Sequence, residues 1–364
     1  MPDPIVPSPD LPNRNHTESN RERGRSDVGA CMKIAVRCNN WIGDVVMSLP
    51  ALASVRRHYP DAEIVAITRP WARDLLSFVP DLIDRVIDFD EKGDDRGLTG
   101  LWRFSRKLVP EQFDLGLVFT RHARGIMLMQ LARVNKVYGF SVVKRLLGSR
   151  VDQSQTKRHQ KHRYLDLVAG LGVSTENIEV KLRIPASLSD VSRRFLQHVP
   201  RPHVFFHAGA AYGTAKRWTI KGFVEAAKGV TQAGGQVILL GVAEESDVNL
   251  QIQAACPSVY NLCGKTTLRE SIALLASADA FLGNDSGLMH VVAAWQRPQV
   301  AIFGPTDELE SYPDNPFATT IAGEAHCRPC HLRDCPIDHM CMKSVPTDRV
   351  IHALKQAITV YQTY

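Results

Sequence analysis

Gly283-Asn-Asp-Ser-Gly-Leu-Met-His-Val-Val-Ala-Ala-Trp-Gln-Arg-Pro-Gln-Val-Ala-Ile-Phe-Gly-Pro305 decides the fold. A short apolar run over 280–283 predicts a buried strand, 287–295 an apolar-faced helix, and 299–303 a second strand. Asp285 and Ser286 stand where a helix takes its N-cap, since their oxygens accept from orphan backbone N–H groups. Gly287 allows close approach to the backbone. Free N–H groups and the positive end of the helix dipole make this turn suited to an anion. In an open α/β sheet, ligands bind beyond the carboxyl ends of the strands, which is where the turn lies. An ordinary capped helix between two buried strands would carry the same pattern.

The strand–helix alternation extends in both directions, which argues for parallel sheets built from βαβ units. Upstream, strands are expected at 33–38, 63–68, 85–89, 114–119 and 136–140, with helices at 45–58, 71–78, 98–108 and 124–132. The pattern loosens over 150–200, where a polar helix at 162–170 precedes Pro185, Pro200 and Pro202. A linker is therefore placed at 185–202. A second series follows, with strands at 203–207, 236–240, 280–283 and 299–303 and helices at 220–233, 244–255, 268–276 and 287–295. A Cys-rich loop spans 326–343 and a last helix 347–361. The expected organisation is a tail at 1–31, an α/β domain at 32–190, a second at 200–345 and a closing helix at 346–364, the two domains facing across a cleft.

A chain of 364 residues, 44% hydrophobic and 23% charged, has room for two or three domains with substantial cores. The formal charge is +6, and residues 1–31 hold four arginines against five acids, so the positive excess lies in the remainder. Such a body suits an anionic ligand or an anionic membrane surface, and no nucleic-acid module is recognisable. No apolar run approaches the roughly 18 residues of a membrane span, and the polar N-terminus has no signal-peptide core. The tail reads as disordered, with Met32 at the expected start of the folded part. A cytoplasmic protein touching a membrane only peripherally is expected, with its eight cysteines reduced, packed or metal-bound.

Asn39-Asn-Trp-Ile-Gly-Asp44 follows the first strand. Asp44 then stands at the first helix, on the carboxyl edge of the first sheet, where a carboxylate serves as a general base toward a hydroxyl or simply favours the helix dipole. With Gly43 alone, the segment lacks a dinucleotide fingerprint. His207-Ala-Gly-Ala-Ala-Tyr-Gly-Thr-Ala-Lys-Arg-Trp218 opens the second series. Its small residues expose backbone N–H groups, and Lys216 and Arg217 bring two cations, a combination that suits a diphosphate and can neutralise a leaving group without a divalent metal. Trp218 reads as packing. Glu244, after the next strand, could meet ribose hydroxyls or lie exposed at a helix start. His290 lies one turn beyond Asp285. Arg69, Arg121 and Arg124 sit at strand ends of the first half, where guanidinium groups hold acidic ligands or are solvated. Cys327, Cys330, Cys335 and Cys341 form C-x2-C-x4-C-x5-C, which could bind a structural metal such as zinc but matches no standard zinc ribbon; packed or redox-sensitive thiols are the other readings.

Trp41-Ile-Gly-Asp44-Val-Val-Met-Ser-Leu-Pro50, Gly209 to Trp218, Asn284 to His290 with the Phe303-Gly-Pro305 finish, and Cys330 to Met342 occur in one order over about 32–361. In that combination the chain resembles glycosyltransferase family 9, the ADP-heptose:lipopolysaccharide heptosyltransferases. The resemblance implies a GT-B fold of two Rossmann-like domains, an N-terminal acceptor domain and a C-terminal donor domain. It implies inverting transfer of L-glycero-D-manno-heptose from ADP-heptose to a lipid A–Kdo–heptose inner-core acceptor, with no catalytic divalent ion. Asp44 would be the base, Lys216 and Arg217 would meet the donor phosphates, and Asp285, Ser286, Gly287 and His290 would line the donor site. Glu244 would meet the ribose, and Arg69, Arg121 and Arg124 the acidic acceptor. The 31-residue tail and Cys38-Asn39-Asn40 depart from the family pattern. The competing readings are another GT-B nucleotide-sugar transferase, an epimerase of similar architecture, and a non-catalytic nucleotide- or metal-binding protein.

Overall fold

The computed structural model describes residues 31–140 and 158–362. The tail expected over 1–31 lies outside them except for Cys31. Five strands, β1 (Lys33–Arg37), β2 (Glu63–Thr68), β3 (Arg85–Asp88), β4 (Leu115–Val118) and β5 (Lys136–Gly139), form a parallel sheet in the order β3-β2-β1-β4-β5. Six more, β6 (His203–His207), β7 (Gln236–Leu239), β8 (Tyr260–Asn261), β9 (Ala280–Asn284), β10 (Gln299–Phe303) and β11 (Ala318–Ala322), form a second parallel sheet in the order β11-β10-β9-β6-β7-β8. Central strands are apolar on both faces, as helices on both sides of a parallel sheet require. Ile34, Ala35 and Val36 are fully buried, and so are Phe205, Phe206, Phe281 and Leu282.

Both sheets reverse strand order at one place. In the first, β1 pairs with β2 on one side and β4 on the other, aligning Val36 with Ala66 and Leu117. In the second, β6 pairs with β7 and β9, aligning Phe206 with Leu239 and Leu282. Chain leaving two such neighbours departs to opposite faces and opens a crevice at the carboxyl edge. The segments after β1 and β4, and after β6 and β9, are therefore the ones placed to bind.

The two halves share one apolar core. It runs from Ile34 and Leu49 on the first side to Phe205, Met289 and Val292 on the second. The seam is made by helix Ile42–His58, which follows β1, packing against helix Gly287–Ala294, which follows β9. The final helix, Thr347–Gln362, buries Val350, Ala353, Leu354 and Ala357 against the second half.

Two strands escaped the sequence pattern. Tyr260–Asn261 is too short for any periodicity, and Ala318–Ala322 is an edge strand whose Thr319 is exposed and Thr320 half-buried, which breaks the apolar run. The first helix starts at Ile42, earlier than expected, because Trp41 is extended and acts as the N-cap. The helix expected at 244–255 divides into a 3-10 turn, Ala243–Glu245, and helix Ser246–Ala255.

Candidate active site

Asp44 sits in the first turn of helix Ile42–His58, directly after β1. The Asn39 amide donates to its backbone oxygen at 3.4 Å, fixing the turn. Tyr164, buried on helix Gln160–Ala169, stands beside the Asp44 carboxylate and Asn39. Burial pushes the Asp44 carboxyl above the usual carboxylate range. Arg121, Lys216 and the nearby Tyr164 hydroxyl pull it back, while Asp285 pushes it further up. The base expected on one rim is thus within electrostatic reach of the cation and carboxylate expected on the other.

On that other rim, Asn284 at the end of β9 accepts from Trp218 N–H at 3.0 Å and donates to the Ala208 and Gly209 carbonyls at 2.9 and 3.1 Å. This clamp fixes the loop carrying Lys216. The Lys216 ammonium meets Asp285 Oδ2 at 2.5 Å and lies 4.9 Å from the centre of the Tyr212 ring. Thr306 donates to the same Asp285 oxygen at 2.7 Å. Arg217 is half-buried, and its Nε is buried with no hydrogen-bond partner among the described residues. Trp218 packs edge-on against Phe223, as expected of a core residue. Glu244 is exposed, whereas its neighbour Glu245 is buried, accepting from Val242 N–H at 3.1 Å.

Gly287 and His290 serve the seam. A Cβ on Gly287 would stand 2.7 Å from Ile42 Cβ, and one on Gly43 would stand 2.6 Å from His290 Cδ2. The two helix starts interlock through these reciprocal glycines. Space at Gly287 that the sequence reading left to a ligand is filled by Ile42. Gly287→Ala is expected to destabilise the protein by roughly 1–3 kcal/mol, the usual cost of overpacking. The melting temperature reads the effect; an unchanged value would show that the Ile42 backbone gives way and that the seam is not overpacked by a methyl group.

His290, 4% exposed, is held neutral, with its pKa lowered to about 4 chiefly by burial. Unfolding returns the ring to its ordinary value near 6.5, so the unfolded chain binds the extra proton first. Stability attributable to this ring is complete above about pH 6.5 and declines as pH falls toward about 4, by on the order of 3 kcal/mol in all. His290→Gln should show a shallower fall in chemical-denaturation stability between those limits. Equal slopes would refute the assignment. The ring also borders a cavity of about 490 Å³ between the halves, with Met47, His159 and Trp295.

The three arginines fare differently. Arg121, after β4, is exposed and acts on Asp44. Arg69, the N-cap of helix Pro70–Leu76, is half-buried, with no hydrogen-bond partner for its Nε among the described residues. Arg124 is already engaged, donating to the Asp95 and Gly97 carbonyls at 2.8 and 2.9 Å and pairing with Glu91 at 3.3 Å. Unforeseen was Arg37, 1% exposed at the end of β1, which bonds Asn40 at 2.9 Å and Glu91 at 2.8 Å. An arginine closing an apolar buried strand was the one signal available for it. Asn40, Glu91, Thr120 and Arg124 line a cavity of about 240 Å³ at this switch point.

Cys327, Cys330 and Cys335 are half-buried, and Cys341 is buried. Among the described residues, no three His, Cys, Asp or Glu side chains are grouped so as to hold a metal ion. Burial, then the nearby Cys327, Cys330 and Cys335, push the Cys341 thiol up. The loop does have a definite task. Its Arg333 carbonyl accepts from Ala215 N–H at 3.0 Å, and its His331 carbonyl accepts from the Tyr212 hydroxyl at 2.8 Å. The Arg333 guanidinium lies over both Tyr212 and Trp41, at 5.2 and 5.9 Å. The Cys-rich segment therefore backs the Lys216 loop and reaches the first half.

Two parallel α/β sheets joined at their carboxyl edges, with a carboxylate on one rim and a lysine–carboxylate pair on the other, define a GT-B glycosyltransferase. The chain belongs to glycosyltransferase family 9 (heptosyltransferase), whose model matches residues 101–341. It is 30% identical to lipopolysaccharide heptosyltransferase 2 of Salmonella typhimurium, over 76% of this chain and 83% of that protein. It is 27% identical to lipooligosaccharide heptosyltransferase 2 of Campylobacter jejuni, over 90% of this chain and 98% of that one. The solved structure of E. coli ADP-heptose lps heptosyltransferase II matches with a TM-score of 0.75 at 26% identity, covering 91% of this chain and all of that one.

Proposed function

We propose that the enzyme transfers L-glycero-D-manno-heptose from ADP-heptose to the heptose-bearing inner core of lipopolysaccharide, with inversion, as a heptosyltransferase II. The observation that carries this reading is Asp44 facing the Lys216–Asp285 pair across the seam, in a chain similar over about nine-tenths of its length to heptosyltransferases numbered 2. Asp44 takes the proton of the acceptor hydroxyl. That oxygen bonds to the anomeric carbon as the carbon–oxygen bond to the β-phosphate breaks, through a transition state of oxocarbenium character. Lys216, Arg217 and the first N–H groups of helix Gly287–Ala294 meet the charge that collects on the departing ADP. With two cations placed there, the reading calls on no catalytic divalent ion.

The acidic, membrane-borne acceptor would approach from the first half, where Arg69 and Arg121 stand at strand ends. No helix among the described residues is long and apolar enough to cross a membrane. In this reading the enzyme works on the cytoplasmic face and touches the inner membrane only peripherally. Mass spectrometry of products from ADP-heptose and defined core acceptors tests the whole. One added heptose on an acceptor already bearing its first heptose is the expected result. Conversion of the donor without any acceptor would replace this reading with an epimerase.

A further inference from the structure

Ser286 holds the N-cap position of helix Gly287–Ala294, yet its side chain makes no capping bond. Its hydroxyl instead lies 3.0 Å from Nδ1 of His207, the last residue of β6. The other ring nitrogen, Nε2, lies 3.3 Å from Glu245 Oε2. His207 and Glu245 are both buried, 7% and 5% exposed. The carboxylate is held below its usual range: burial pushes it up, but the His207 ring, the Val242 N–H and Arg217 outweigh that. An ionised carboxylate only accepts, so Nε2 carries a hydrogen; where that is the ring's one hydrogen, Nδ1 is left as an acceptor and the Ser286 O–H points at His207.

This order has a consequence for a phosphate. A diphosphate oxygen at the helix start presents only lone pairs, and so does Ser286 Oγ while its proton serves His207. For Ser286 to donate to phosphate and keep its bond to His207, Nδ1 must donate to Oγ, which, with Nε2–H on Glu245, needs a proton on both ring nitrogens. We propose that His207 takes up one proton from solvent when a nucleoside diphosphate binds, turning the Ser286 hydroxyl from His207 to the phosphate. The inference rests on the donor site described above. In the bound state Nε2–H donates to Glu245, Nδ1–H donates to Ser286 Oγ, and Oγ–H donates to the phosphate. The charged groups around the ring are Glu245 from the 3-10 turn, Arg217 from the Lys216 loop, and the Lys216–Asp285 pair beyond Ser286. The two carboxylates and the incoming phosphate favour the imidazolium, and Arg217 and Lys216 oppose it. His207 is thereby a positioning residue, acting on the donor through Ser286.

The test is titration calorimetry with ADP from about pH 7 to 9, each pH in two buffers of different ionisation enthalpy, for the wild type, His207→Gln and Ser286→Ala. Protons bound per nucleotide follow from the buffer difference, and proton release by ADP itself cancels between variants. The wild type should take up more protons than either variant, by a difference approaching one per nucleotide at its maximum. Its ADP affinity should weaken with rising pH by up to about tenfold per unit more than theirs, by linkage. Equal proton counts in the wild type and Ser286→Ala, with ADP bound by both, would overturn the relay even if His207→Gln did not fold. Failure of the wild type to bind ADP would remove the donor site itself and the relay with it.

Discussion

Asp44→Asn should lower the rate of heptose transfer by about a hundred- to ten-thousandfold, the range removed with a general base. Asn keeps the shape and the contact with Tyr164 but cannot accept the proton of the attacking hydroxyl. Donor affinity should hold or improve, because Asp44 opposes Asp285 across the seam and the substitution removes that repulsion. The loss therefore belongs in kcat, with KM for the donor unchanged or lower. The pH profile adds an independent check. Burial raises the Asp44 carboxyl, so the rate should rise with pH along a limb lying above the ordinary carboxylate range, and that limb should vanish in the variant. Turnover within a few fold of wild type, or an unchanged acidic limb, would take Asp44 out of the mechanism.

Asp44 could be singled out from sequence because topology alone positions it. The residue following the first strand of a doubly wound half is carried to the switch point, whatever the rest of the chain does. The same logic found Lys216 after β6 and Asp285 after β9. Their companions were illegible for a common reason. Arg37 is set by Glu91, and His207 by Glu245 and Ser286, 38 and 79 residues away. No local pattern encodes such pairings. Glu244 and Glu245 are adjacent, so only the backbone of the 3-10 turn determines that the second is buried and the first exposed. Gly287 shows the converse limit. Glycine was expected there for a ligand, while the structure fills its vacant side with Ile42, because close approach to a backbone has the same signature whichever group approaches.

Lys216→Ala should lower kcat/KM for the donor by about a hundred- to a thousandfold, the scale of removing one preorganised charge from a developing anion. Its ammonium is oriented before any donor arrives, by Asp285 at 2.5 Å and by the Tyr212 ring. Negative charge grows on the β-phosphate as the sugar leaves, so the interaction strengthens toward the transition state and most of the loss falls in kcat. The substitution also strands Asp285, only 6% exposed, with the Thr306 hydroxyl as its remaining side-chain hydrogen-bond partner among the described residues. Breaking a buried pair from one side costs about 3–5 kcal/mol, so the melting temperature should fall as well. Asp285→Asn on the Lys216→Ala background separates the two effects. It removes the stranded charge and should restore stability while leaving catalysis impaired. If activity returned together with stability, Lys216 would be a structural counter-ion to Asp285 and the leaving-group role would pass to Arg217.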